Sequence, residues 1–224
     1  MTSSTTTVRA WDLPVRVFHW LLVVAIATSY FSAEYAYMEV HKTSGIVILS
    51  LVLTRILWGV VGSTTARFSN FLSAPGAVVR YVRAFTEGRP EHPLGHSALG
   101  GWAVIVLLGA CLTQATLGLF SNDDFFFDGP LVRYVSDDLS DALTGWHHRF
   151  FSVLVALIVI HVGANLVYLK KGQNLIRPMV TGKKRAEDVD ASARTEAKTF
   201  RSPWLALVLW ACVWAGLMAA FGEF

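Results

Sequence analysis

The sequence predicts an all-α integral membrane protein, a helical bundle with a four-helix core and a fifth spanning helix at the C-terminal end. Three observations predict it. Of the 224 residues, 54% are hydrophobic and only 16% are charged, where a soluble domain carries roughly a quarter; mean hydropathy is +0.47. The apolar residues gather in five blocks, 15–33, 45–61, 98–120, 146–168 and 203–221, each near the ~20 residues that cross a bilayer as a helix. The connections between the blocks alternate in charge. A soluble helical core is the competing reading, and the block lengths argue against it.

Taken in order, residues 1–10 are rich in Ser and Thr and are expected to be mobile. Trp11-Asp12-Leu13-Pro14 reads as an interfacial lead-in, with Trp at headgroup level. The first block can also be read as a signal peptide, but Phe31-Ser32-Ala33 is a poor cleavage site and a polar arm precedes it. Segment 62–97 holds two turn signals, Ala74-Pro75-Gly76 and Gly88-Arg89-Pro90, around a short basic amphipathic helix over 77–85. Ser136, followed by acids, resembles a helix start, so the fourth helix is expected from near Asp137. Segment 181–202 is polar and basic, a flexible link to the last helix. The expected division is a four-helix domain over 1–185, then linker and extra helix over 186–224.

Charge orients the chain. Segment 62–97 carries Arg67, Arg80, Arg83 and Arg89 against Glu87 and Glu91, and segment 170–202 carries nine Lys/Arg against four acids. Segment 34–44 has Glu34 and Glu39 against Lys42, and segment 121–145 has six Asp against Arg133. Basic loops stay in the cytoplasm, so the N-terminus is expected inside and segment 121–145 and Phe224 outside. These loops account for the net charge of +3 without a nucleic-acid partner. Cys111 and Cys212 both lie in apolar blocks. There is no C-x-x-C-H for covalent haem and no zinc spacing.

The histidines carry the chemistry. His147 and His161 are fourteen residues apart in the fourth block, almost four whole turns and ~21 Å along a helix. Both imidazoles therefore face one side, one near each edge of the membrane. His19 follows the cytoplasmic arm at the inner end of the first helix, and His41 opens the second at its outer end. The depths pair His19 with His161 inside and His41 with His147 outside. A single such histidine would read as an interfacial residue; four in two depth-matched pairs read as ligands. Zinc and copper also take imidazole, but two two-histidine sites without thiolate or carboxylate suit them poorly. Haem suits them, because the macrocycle fills the equatorial plane and leaves two axial positions. Two bis-histidine b haems are expected. His148 is thirteen residues from His161 and faces another side, so His147 is the expected ligand.

Other residues are open to two readings. His92 lies in a polar loop, where solvation is the default. His96, at the inner mouth of the third helix, can serve a propionate or a quinone carbonyl, or merely sit at the interface. Arg55 shares a helix face with His41, fourteen residues on; it can meet a haem propionate or snorkel to headgroups. Arg16 and Arg149 are similar candidates at the inner and outer haems. Gly45, one turn after His41, can leave room for the macrocycle or pack a neighbouring helix.

The chain resembles the bacterial cytochrome b561 and nickel-iron hydrogenase b-type cytochrome superfamily. The resemblance rests on 8–20, with its Phe18-His19-Trp20 start, on His41 through Arg55-Ile56-Leu57-Trp58-Gly59, on Gly95-His96, and on His147 with His161 followed by Asn174-Leu175-Ile176-Arg177. It covers about residues 8–185. It implies four helices holding two b haems, with His19, His41, His147 and His161 as axial ligands, and electron transfer between a membrane quinone and a partner. Two departures stand out. Trp146-His147-His148 replaces an expected His-Glu, and the fifth helix lies outside the common core.

The expected function is therefore a membrane electron-transfer cytochrome in the bacterial inner membrane. It exchanges electrons with ubiquinone or menaquinone and with a periplasmic c-type cytochrome or oxidoreductase, as the electron-transfer subunit of a quinone oxidoreductase. An alternative is a haem-binding anchor subunit for a periplasmic oxidoreductase, with no quinone site of its own. A proton-relaying transporter fits less well, because intramembrane carboxylates and broken-helix pairs are missing.

Overall fold

The computed structural model describes residues 6–89, 91–123, 127–195 and 198–222. Its helices are α1 (Leu13–Glu34), α2 (Met38–Val61), α3 (Phe68–Phe71), α4 (Pro75–Thr86), α5 (Ala98–Leu119), α6 (Asp137–Lys170), α7 (Ile176–Thr181), α8 (Ala191–Thr195) and α9 (Pro203–Phe221). Two short strands, β1 (Thr7–Arg9) and β2 (Lys183–Arg185), pair antiparallel. Helices α1, α2, α5, α6 and α9 are the five long and apolar enough to span a membrane. The all-α, five-span membrane fold expected from the sequence is what the chain adopts.

Boundaries differ from expectation where polar residues extend an apolar block. Helix α2 begins at Met38, so His41 lies within its first turns rather than opening the apolar run. Helix α6 begins at Asp137, as its acids and Ser136 predict. Ser136 Oγ accepts from Leu139 N at 3.4 Å, and Ser136 O accepts from Ser140 N at 2.9 Å, which caps the helix. The amphipathic helix runs slightly beyond 77–85, with Pro75 in its first turn.

Parts of two stretches expected to be mobile or flexible are held in place. Within 1–10, Thr7–Arg9 pairs with Lys183–Arg185. Segment 181–202 is tied down by that sheet and by Thr64 and Thr199, whose hydroxyls lie 2.9 Å apart. Polar composition was a poor guide here, because the segment's own backbone groups find partners on neighbouring loops. Phe125, Phe126 and Asp124, expected on the outer surface, lie outside the described residues, as do residues 1–5 and Phe224.

The chain divides into two compact units. The first comprises Met1–Val17, Ile56–Val106 and Ile160–Ala206. Its anchor is Asp12, wholly buried, which accepts from Val15 N and from Trp58 Nε1, each at 2.9 Å. Ala10 N and Trp11 N both donate to Gly182 O. Gly182 has φ +80°, and a Cβ there would stand 3.1 Å from Trp11 O, so only glycine suits this turn.

The second unit comprises Phe18–Arg55, Leu107–Val159 and Leu207–Phe224. Its core is Ile46, Leu49 and Phe221, with Leu53, Leu112, Trp214, Leu217 and Met218 packed against it. Trp210 Nε1 donates to the buried Ser50 Oγ at 3.2 Å. The fifth spanning helix thus packs one face on α2 and α5, while Trp204, Leu205, Leu207 and Val208 stay exposed, as lipid-facing side chains are.

Candidate functional site

In the second unit, α2 and α6 bring His41 and His147 together. Their ring centres are 6.0 Å apart and their planes cross at 86°. Each ring is anchored through Nδ1. His41 Nδ1 lies 2.8 Å from Ser29 O, and His147 Nδ1 lies 3.1 Å from Gln114 O. A carbonyl only accepts, so these contacts are hydrogen bonds when Nδ1 holds the proton and Nε2 keeps its lone pair. That is the tautomer a metal-binding imidazole needs. The Gln114 amide Nε2 also lies 3.2 Å from His147 Nδ1 and 3.4 Å from its Nε2.

The spacing fits a haem. Imidazole nitrogens bind metals at roughly 2 Å, so two rings bound through Nε2 on opposite sides of one iron have centres about 6 Å apart. Among the described residues no cluster of three or more His, Cys, Asp or Glu is gathered for a bare ion. A two-imidazole site suits a cofactor that supplies its own equatorial ligands. Gly45 faces open space, with nothing within 4 Å of where its Cβ would be. The amide oxygen of Gln114, Oε1, is buried beside this site without a hydrogen-bond partner among the described residues.

The other expected residues are placed as follows. His148 is exposed, its ring centre 6.1 Å from that of His147. Arg149 is exposed, with its guanidinium 5.8 Å over the Trp146 ring. Arg55 is 3% exposed, so its guanidinium is inside the protein. His19, on α1, packs edge-on against Trp20 at 5.0 Å. His161 is half-buried on α6, and its carbonyl accepts from Asn165 Nδ2 at 2.8 Å. His19 belongs to the second unit and His161 to the first.

In the first unit, His96 stands between two rings, 4.6 Å from Trp11 and 4.4 Å from Phe71. Arg16 Nη2 donates to Val180 O. His92 exchanges backbone hydrogen bonds with Asp190, donating to its Oδ2 and accepting from its N, both at 2.9 Å.

Sequence reasoning missed three residues of the His41–His147 site, namely Ser29, Gln114 and Gly118. An amide inside an apolar block was a readable signal, because polar groups at membrane depth are costly; the contribution of Ser29 O and the fit of Gly118 were not. It also missed an apolar cavity of about 180 Å³ in the first unit, lined by Tyr81, Val82, Phe85, Leu99, Val167 and Tyr168. Tyr81 and Tyr168, both on its wall, pair their hydroxyls at 2.9 Å.

Comparison with known proteins agrees with this architecture. The family described as prokaryotic cytochrome b561 matches residues 10–182. A curated relative from Bradyrhizobium diazoefficiens, a probable Ni/Fe-hydrogenase B-type cytochrome subunit, is 23% identical over 219 residues, covering 81% of this chain and 87% of its own length.

Proposed function

The chain belongs to the prokaryotic cytochrome b561 family, and from that premise we propose that it passes electrons between the membrane quinone pool and a redox partner through two bis-histidine b haems. Haem b, membrane spans and electron transfer come with the family. The number of haems, their ligands, the quinone and the partner are our reading.

The observation that carries the reading is the His41–His147 pair, 6.0 Å between ring centres with both Nδ1 atoms committed to carbonyls. We assign these two as axial ligands of the outer haem. By their depth in the sequence, His19 and His161 are assigned to the inner haem. Haem b bound this way supplies a one-electron couple with both axial positions filled and no open site for oxygen or substrate. The residues then have three tasks. His41 and His147 would hold the haem through their ring nitrogens. Ser29 and Gln114 hold the Nδ1 protons, which raises the donor strength of the rings. The apolar helices exclude water and keep the macrocycle in a low-dielectric setting. Arg55, buried, and Arg16 and Arg149 are assigned to propionate charge; Gly45 leaves the macrocycle room.

For the quinone, His96 and Arg16 are the candidates the sequence offers, and we favour over them the apolar cavity lined by Tyr81, Phe85, Leu99 and Tyr168. Loop charge supports an inner-membrane protein with its N-terminus cytoplasmic and its C-terminus periplasmic. The name of the related hydrogenase cytochrome subunit supports a redox-enzyme partner; a periplasmic oxidoreductase or c-type cytochrome is our reading of that partner.

The test is haem stoichiometry. Acid-acetone should extract all the haem, and a pyridine haemochrome assay should give two per chain. His41→Ala and His147→Ala should each remove one, and so should His161→Ala, while His148→Ala should keep both. One haem in the native chain, or a loss with His148→Ala but none with His147→Ala, contradicts the assignment.

A further inference from the structure

Helix α5 meets the imidazole of His147 at two positions one turn apart. At Gly118 a Cβ would stand 2.9 Å from His147 Cε1 and 3.3 Å from Nδ1, so the ring approaches where any side chain would intrude. At Gln114 the main-chain carbonyl takes the Nδ1 proton at 3.1 Å, and the side-chain Nε2 donates to the His147 carbonyl at 3.0 Å. One contact limits how the ring can turn; the others fix its height and tautomer. Ser29 O, on α1, fixes His41 of α2 at 2.8 Å. The outcome is a pair of imidazole planes crossed at 86°.

We propose that Gly118 and Gln114 are positioning residues that hold the His147 ring perpendicular to His41, and that this crossing sets the spectroscopic and redox character of the haem they bind. The proposal rests on the reading of His41 and His147 as one axial pair. Its physical basis is the symmetry of the ligand field. Parallel imidazoles act on the same iron π-type d orbital and split it from its partner. Crossed imidazoles act on both equally and leave them nearly degenerate. A ferric low-spin haem with crossed ligands therefore gives a strongly anisotropic resonance, and one with parallel ligands a rhombic resonance. The hydrogen bond from Nδ1–H to Gln114 O also makes the ring a stronger donor, which favours the ferric state.

The experiment uses the full chain purified in detergent, oxidised, and examined by low-temperature paramagnetic resonance and by redox titration, with haem content measured on every sample. The resonance lost in His147→Ala is assigned to this pair. In the native chain it should be strongly anisotropic. Gly118→Ala should move it toward the rhombic form with haem content unchanged. Gly109→Ala should change nothing, because a Cβ at that position on the same helix meets nothing within 4 Å. Gln114→Met keeps the main-chain acceptor but removes the amide's hold on the His147 carbonyl and its contacts with both ring nitrogens, and should shift the midpoint potential of the same haem. A rhombic native signal overturns the proposal, as does a Gly118→Ala signal identical to the native one. If Gly118→Ala does not accumulate, a Gln114→Met protein with native resonance and potential overturns it instead. If His147→Ala keeps its full haem content, the axial-pair reading has failed rather than the positioning role.

Discussion

Asp12 joins the entry of α1 to the end of α2, with Oδ2 accepting from Trp58 Nε1 and Oδ1 from Val15 N, both at 2.9 Å. Asp12 is wholly buried and Trp58 is 2% exposed. The carboxylate caps the first turn of α1 and satisfies the indole in the same stroke, so neither donor is left dry.

Removing this carboxylate should destabilise the first unit. Asp12→Ala strands a buried indole N–H, at a cost of about 1–3 kcal/mol, and loses a cap as well. Trp58→Phe leaves a carboxylate that still accepts from Val15 N, but opens space in the packing. Both variants should melt earlier in detergent, and the double variant should fall short of the sum, because the two residues share one hydrogen bond. Strict additivity in that cycle would mean that the bond contributes nothing.

Lys184 makes stability depend on pH. Burial pushes its ammonium down from 10.5 to about 8, against Asp188 and Asp190, which pull it back up. Its Nζ donates to Pro93 O at 2.7 Å. A lowered value in the folded state means that the unfolded chain binds more protons between about 8 and 10.5, so Lys184 adds stability as pH rises through that window and the gain is lost below it. Lys184→Met should flatten this rise in melting temperature while leaving the rest of the pH profile. An unchanged slope would remove Lys184 as its source.

Much of this was legible in advance, and the reason is physical. The bilayer demands long apolar helices, so five spans stand out from composition alone. Fourteen-residue spacing puts two groups on one helix face, which is why His147 and His161 could be singled out on the long α6 from sequence alone. What was not legible depends on contacts between distant segments. The partners of Nδ1 are main-chain carbonyls of Ser29 and Gln114, and a main-chain atom leaves no mark in a sequence. The order in 181–202 likewise comes from β1 and from Ser63 and Thr64, more than a hundred residues away.

Quinone exchange distinguishes two places in the first unit. Arg16 is engaged by Val180 O, and the His96 ring is packed between Trp11 and Phe71. The cavity lined by Tyr81, Phe85, Leu99 and Tyr168 instead offers an apolar space of about 180 Å³, as most small-molecule sites do. With a short-chain quinol as reductant, Val167→Trp, which fills the cavity, should raise the quinol concentration needed for half-maximal haem reduction several-fold with haem content unchanged. His96→Ala and Arg16→Ala should lower the melting temperature and leave that concentration near native. The opposite pattern would return the quinone to His96.

Partner exchange should depend on salt. Segment 121–145 presents Asp123, Asp128, Asp137, Asp138 and Asp141 among its described residues, and its one Arg, Arg133, has Nη2 3.4 Å from Phe221 O. Asp137 and Asp138 are exposed in the first turn of α6, where acids also favour the helix N-terminus. Two roles therefore have to be separated. A steering role acts at a distance through the field and fails as the Debye length falls from ~10 Å at 0.1 M to ~3 Å at 1 M. A helix-start role is felt in stability, at about 0.3–1 kcal/mol for each charge. With a basic c-type cytochrome as electron acceptor, the rate constant for exchange should fall as salt rises. Changing Asp137, Asp138 and Asp141 together to Asn should lower the low-salt rate and flatten its salt dependence. If that variant melts earlier but exchanges electrons at the native rate at every salt concentration, the acids serve the helix and the membrane topology, and the partner docks elsewhere.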